Sequence, residues 1–237
     1  MPKTIAIFGA GPGLGASVAR RFAGEGFHVA LIARNKERLD ALVEQLAAEG
    51  IDDVAGFPAD LSAPDEIPAL ITAIRDRFGR IDVIEYGPIP SMPFTPAAEL
   101  EPAAVSAGLP LLVLTPLAIV QAVLPEWTQR GDGAFLMTTG ATAVHPMPHA
   151  SGLGPLMAAA RNWLYSLHGE LAASGIYAGT LSIAAFITGS EAEKAAAAAG
   201  DPRMAAFPRV DPAELAAVYW DMYTERDRVE QVHPKTD

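Results

Sequence analysis

Short apolar runs alternate with amphipathic stretches along most of the chain. Thr4 to Phe8 is an apolar run that ends in glycines, and Ala16 to Phe22 has helical spacing. Val29 to Ile32 predicts a second strand, and Lys36 to Ala48 a charged amphipathic helix closed by Gly50. Val54 to Phe57, Ile81 to Ile84, Ala134 to Thr138, Ile176 to Ile183 and Val229 to Val232 predict further strands. Helices are predicted over Ala63 to Phe78 and from about Pro155 to Ala173. Apolar runs of strand length separated by helices are what a parallel sheet buried on both faces requires. Right-handed crossovers then give an α/β fold, a single doubly wound parallel sheet flanked by helices. No internal repeat and no linker interrupts residues 1–237, which read as one domain.

Two stretches break this rhythm. Eight prolines fall from Pro88 to Pro125, too many for an ordinary loop and helix. From Ala184 to Val210 the chain is alanine-rich and irregular, with Ala195 to Ala199 capped by Gly200. In such a sheet, ligands sit beyond the carboxyl ends of the strands. Both stretches follow strands, so both are expected to overhang the site. The 184–210 stretch reads equally as a substrate lid or as a solvated surface helix.

Composition narrows the classes of function. Seventeen basic against 28 acidic residues give a net charge of −11, which repels phosphate backbones and argues against nucleic acid as a partner. No uninterrupted run of about 18 apolar residues occurs, so no membrane span is expected. The Met-Pro-Lys start has no secretory pattern. With no cysteine there is no disulfide, thiol nucleophile or thiolate metal site, and a cytoplasmic location fits. Lys3, Lys36, Lys194 and Lys235 are the only lysines, a scarcity that bears on the chemistry below.

The first strand runs into Gly9-Ala10-Gly11-Pro12-Gly13-Leu14-Gly15 and then a helix. Glycines there allow a tight turn and close approach of a pyrophosphate, which the free N–H groups and dipole of a helix N-terminus attract. At the end of the second strand stands Ala33-Arg34-Asn35, where an acid would bind a ribose 2′-hydroxyl. An arginine pairs instead with a 2′-phosphate, which favours NADP(H) over NAD(H); an exposed helix-start arginine is the bland alternative. Asp60-Leu61 follows the third strand, where the aspartate is able to accept an adenine amino group or cap the next helix.

These residues resemble the short-chain dehydrogenase/reductase family, whose first motif is Thr-Gly-x-x-x-Gly-x-Gly. Gly9, Gly13 and Gly15 match it, with Phe8 in place of the threonine. Ala33-Arg34 is similar to the NADP-preferring members, and Asp60-Leu61 to the family's adenine-contacting pair. The likeness continues through Gln121 to Pro125, Gly133 to Thr139 and Leu167 to Ile176. It implies a Rossmann fold, a small-molecule substrate, and a homodimer or homotetramer built through two long helices.

The reactive half of that resemblance fails. The family's tyrosine position falls on Leu153, its lysine on Met157, its serine on Gly140 beside Thr139, and its asparagine on Leu112. No lysine lies between Lys36 and Lys194, so no gap restores the motif. The family's Asn-Asn-Ala-Gly after the fourth strand reads Tyr86-Gly87-Pro88-Ile89, and its Pro-Gly after the sixth reads Ile183-Ala184. His145 and His149, in the loop before the long helix, are the leading replacements for the lost acid, since imidazole titrates near neutrality. Each serves as well as a loop histidine bonded to backbone, and Pro146 and Pro148 deny them the helical spacing of a metal pair. Thr138, Thr139 and Thr142 offer hydroxyls to orient a carbonyl. Tyr86 sits where the cofactor ring is expected, to stack, shape the pocket or donate a proton. Arg161, on the stripe Leu153-Met157-Arg161, reads as a surface or interface residue or an anchor for an anionic substrate. Pro116 denies the Leu112 carbonyl its helical donor, which predicts a kink there.

The sequence therefore predicts an NADP(H)-dependent oxidoreductase with a non-standard proton donor, acting on a small apolar carbonyl or alcohol. The alternatives are a non-catalytic NADP(H)-binding sensor or partner subunit, and non-redox chemistry that keeps the cofactor.

Overall fold

The computed structural model describes all residues except Ser91, 93–94, Ala150, 200–206 and 236–237. Seven strands form one parallel sheet: β1 (Thr4–Phe8), β2 (His28–Ala33), β3 (Val54–Pro58), β4 (Val83–Tyr86), β5 (Gly133–Gly140), β6 (Ile176–Ile183) and β9 (Glu230–His233). Their spatial order is β3-β2-β1-β4-β5-β6-β9, with every adjacent pair parallel. A two-stranded ribbon pairs β7 (Phe186–Ile187) with β8 (Arg209–Val210).

Alternate residues of each central strand enter opposite cores. Ile5, Ile7, Val29 and Leu31 pack toward α1 (Leu14–Ala23), with Leu215 and Tyr219 of a C-terminal helix, Pro212–Glu225, on the same side. Ala6, Phe8, Ala30 and Ile32 pack toward α3 (Ile67–Phe78), α5 (Thr115–Arg130) and α6 (Gly154–Leu171). Both faces are dry, which is why the strands read as continuous apolar runs. Helix α2 (Lys36–Ala48) covers β2 and β3 with Leu39, Leu42 and Leu46. The largest buried side chain is Trp127 of α5, whose indole N–H donates to the Ile81 carbonyl at 2.9 Å.

The fourth strand begins and ends later than its apolar run suggests, because Glu85 and Tyr86 are both buried within it. The proline-rich stretch is more regular than expected. Helix α4 (Pro102–Leu109), a π turn (Pro110–Leu114) and α5 follow one another without a break. Pro102 occupies the first helical turn of α4, where a missing N–H costs nothing, Pro110 opens the π turn, and Pro116 falls in the first turn of α5. The 102–130 run is long and apolar enough to cross a membrane, and here it packs on α3 and α6. Helix α7 (Glu191–Ala199) occupies part of the 184–210 stretch, while its predicted cap Gly200 lies outside the described residues. The C-terminal helix, α8 (Pro212–Glu225), is capped by Asp211, which accepts the Ala213 N–H at 2.7 Å, and packs along α1.

Candidate functional site

The strand order reverses between β1 and β4, so their connections leave in opposite directions and open a crevice above the sheet. Gly9 lines it with φ 87°, and a Cβ there would lie 2.7 Å from the Pro88 backbone. Only glycine fits a left-handed position so close to another chain segment. Gly11 and Gly13 differ: nothing lies within 4 Å of where their Cβ atoms would be. Their missing side chains leave an open backbone surface, which suits the close approach of a phosphate. Helix α1 begins at Leu14 with no side-chain cap and no acid in its first turn, so its N–H groups and dipole face that surface. Leu14 itself is half-buried against the core, and Gly15 is buried.

At the end of β2, Arg34 is exposed and makes no ion pair or hydrogen bond among the described residues. Asn35 caps α2, its side-chain oxygen accepting the Arg38 N–H at 2.8 Å, so that oxygen is committed to the helix. The Arg38 side chain, one turn on, is a second exposed cation without a described partner, missed in the sequence because it sits inside a charged helix face. The Asp60 carboxylate accepts the Ser62 N–H at 2.9 Å in a tight turn, and Leu61 is buried in the core beside it.

The positions of the lost catalytic residues do converge. Met157 is buried on α6, and its sulfur accepts the Gly140 N–H at 3.2 Å across to β5. Leu153 starts α6, and Leu112 is buried in the π turn against which α6 packs. The locus is apolar. A π turn stands where a kink is predicted, and the carbonyl that Pro116 leaves without a helical donor belongs to Leu111, not Leu112. In the π turn the Thr115 N–H bonds the Pro110 carbonyl, so the next donor in register would be residue 116, a proline with no N–H. The Tyr86 hydroxyl takes its place and donates to the Leu111 carbonyl at 2.5 Å.

That bond corrects the reading of Tyr86. Its side chain is 2% exposed, it packs near Phe8, and burial pushes its phenol well above the usual tyrosine range. Its ring is enclosed in the core and its hydroxyl is committed to the Leu111 carbonyl, so it splices β4 to the π turn. Thr139 is corrected likewise. It too is buried, its hydroxyl shared with Ser182 at 2.7 Å and Thr180 at 3.1 Å on β6, so it does not face a substrate.

From Ser182 the network continues to Glu230 on β9 at 2.6 Å, then to Arg161 in a fork and to the Tyr165 hydroxyl at 2.6 Å. Arg161 is therefore an internal tie between α6 and the sheet edge. Burial raises the Glu230 pKa, but the bonds from Arg161, Ser182 and Tyr165 outweigh it and hold the carboxyl below its ordinary range. Its contribution to stability is present above the carboxylate's unfolded pKa and is lost as pH falls through the lowered folded value. Glu230→Ala is expected to cost about 2 kcal/mol, since it unpairs a half-buried guanidinium. A urea midpoint at neutral pH checks this, and the difference from wild type should shrink in acid.

His145 and His149 lie where the sequence places them, both exposed, on the loop between β5 and α6. His149 has φ 64°, a left-handed backbone that costs a non-glycine residue about 1 kcal/mol or more. The loop is fastened by the Ser151 N–H, which donates to the Thr95 carbonyl at 2.8 Å, joining it to the segment that follows β4. Neither imidazole has a partner among the described residues.

The doubly wound sheet, the glycine turn at its reversal and the uncapped helix behind that turn define a dinucleotide-binding class of fold. The chain belongs to the short chain dehydrogenase family, whose model matches residues 3–199. It is 27% identical over 181 residues to a short chain dehydrogenase of Pseudocercospora fijiensis, covering 73% of this chain and 56% of that protein. It is 28% identical over 210 residues to an oxidoreductase of Sarocladium schorii, covering 89% of this chain and 81% of the other. Its fold is similar to L-sorbose reductase from Gluconobacter frateurii complexed with NADPH and L-sorbose (TM-score 0.83, 22% identity, 95% of this chain and 90% of that one).

Proposed function

We propose that the chain binds NADP(H) in the crevice between β1 and β4 and reduces or oxidises a small, largely apolar carbonyl or alcohol. The observation that carries this reading is the open backbone at Gly11 and Gly13 ahead of the uncapped α1, with the unpartnered Arg34 one strand away. The glycine turn and the α1 N–H groups would hold the pyrophosphate, and Arg34, assisted by Arg38, the 2′-phosphate. Asp60 would meet the adenine. The cofactor supplies hydride chemistry when bound. Support for a 2′-phosphorylated cofactor also comes from the reductase of similar fold that is complexed with NADPH.

The apolar surface of Leu112, Leu153 and Met157 would exclude water from the reacting carbon and select an apolar substrate. The proton would come from an imidazole, with His149 leading and His145 second. His149 stands four residues before Leu153, in a strained conformation on a fastened loop. Strain of this kind, held by its surroundings, is a common property of working residues. NADPH consumption across a panel of small aliphatic and aromatic ketones and aldehydes tests the proposal, with turnover on at least one expected.

A second reading has an observation of its own. Met157 closes on Gly140 where the family places a lysine and a serine, so the reacting centre holds no proton donor. On that reading the chain is a non-catalytic NADP(H) sensor or a subunit partner. Tight NADPH binding with no consumption across the whole panel would select it.

A further inference from the structure

Glu85 is a carboxyl in the middle of the fold with no cation beside it. It lies one residue from the end of β4, in register with Ile7 of β1 and Leu136 of β5, and is 2% exposed. Its Oε1 accepts the Thr138 hydroxyl at 2.9 Å, and Thr138 in turn shares a 2.5 Å bond with the Tyr219 hydroxyl of α8. Tyr219 is the titratable group that faces it, itself buried and held neutral by burial. Its register partners Ile7 and Leu136 are apolar, and no ammonium or guanidinium pairs with Glu85 among the described residues. The carboxyl reaches to the mouth of the crevice. A Cβ on Gly87 would lie 2.7 Å from Glu85 Oε1 and 3.0 Å from Thr138 Oγ1, so only a glycine leaves the acid its room.

This placement matters because of where the dinucleotide must run. With the phosphates held at the α1 N-terminus and the 2′-phosphate at Arg34 beyond β2, the other half of the cofactor would extend toward the ends of β4 and β5. Gly87 follows the end of β4, Thr138 lies two residues before the end of β5, and the Glu85 carboxyl sits against both. The oxidised nicotinamide ring is a cation and the reduced ring is neutral, while the phosphates of the two forms are the same.

We propose that Glu85 distinguishes the two redox states: its carboxyl releases a proton to solvent when the oxidised ring lies over Gly87, and keeps it beneath the reduced ring. The inference rests on the NADP(H) assignment above. Burial holds free Glu85 protonated at neutral pH, with its pKa pushed up to about 8. A cation above it lowers that value, so NADP⁺ affinity must rise with pH through the titration, whereas NADPH affinity must not. Each unit by which the oxidised ring lowers the pKa is a tenfold gain in NADP⁺ affinity between pH 6 and pH 9. The 2′-phosphate titrates near pH 6, but equally in both forms, so it cancels in their ratio.

Calorimetric titration of the full chain with NADP⁺ and with NADPH tests this, in buffers of different ionisation enthalpy from pH 6 to 9. Near pH 7, release of a fraction of a proton to a whole one is expected with NADP⁺ and less with NADPH, with an NADP⁺/NADPH affinity ratio that climbs about tenfold across the range. Glu85→Gln keeps the shape and the Thr138 bond, and should flatten the ratio while leaving NADPH binding intact. A ratio independent of pH in wild type, or a climb that persists in Glu85→Gln, overturns the role of Glu85 while leaving the cofactor site standing. Failure of both nucleotides to bind wild type overturns the NADP(H) assignment itself, and this role with it. If Glu85→Gln does not fold, the wild-type proton count alone decides.

Discussion

Gly9→Val is expected to lower the thermal midpoint by about 6–12 °C and to abolish NADPH binding. A left-handed backbone costs a non-glycine residue about 1–2 kcal/mol. The added Cβ would also stand 2.7 Å from the Pro88 backbone, which cannot rotate away as a side chain would. Overpacking of that kind costs about 1–3 kcal/mol, for a total near 3 kcal/mol. A chain of this size loses about 2–4 °C for each kcal/mol. Binding falls further than stability, because Gly9 and Pro88 form the two lips of the crevice. Scanning calorimetry with and without NADPH measures both effects; a midpoint within 2 °C of wild type and retained binding would place the ligand elsewhere.

Removal of the imidazole at position 149 is expected to slow carbonyl reduction by about a hundredfold or more, the usual contribution of a positioned general acid. His149→Gly is the cleaner variant. Glycine adopts φ 64° without strain, so the substitution should leave the fold as stable as before and a lost rate cannot be charged to unfolding. His145→Ala should also depress turnover. Single-turnover rates at saturating NADPH separate proton transfer from binding, and unchanged rates in both variants would remove the histidines from the chemistry.

Much of the architecture was legible in the sequence because its signals are local. Strands buried on both faces leave unbroken apolar runs, and the turn from Gly9 to Gly15 stands between the first of them and a helix. Arg34 was legible for the same reason: it follows a strand end directly. The helix Pro212–Glu225 does carry an ordinary start in Asp211 and Pro212, but the irregular alanine-rich stretch that runs into it masks that cap in the sequence. The prolines from 88 to 125 read as irregularity, yet Pro102 and Pro116 fall in first turns, Pro110 opens the π turn and Pro125 is carried inside α5. The errors at Tyr86 and Thr139 share one cause. A polar side chain at a strand end points to the crevice or to a neighbouring strand, and one residue of register decides which. Glu85 gives no signal in the sequence because it follows the apolar run Ile81 to Ile84, and only the packed structure shows a carboxyl enclosed without a cation.

Calorimetric titration of NADPH and NADH into wild type and Arg34→Ala tests the 2′-phosphate assignment most directly. An exposed arginine facing a phosphate is a charge-assisted contact of about 1.5–3 kcal/mol. Wild type should bind NADPH more tightly than NADH, and Arg34→Ala should weaken NADPH about 10- to 100-fold while leaving NADH unchanged. No heat with either dinucleotide, or equal affinities that Arg34→Ala does not alter, would contradict it.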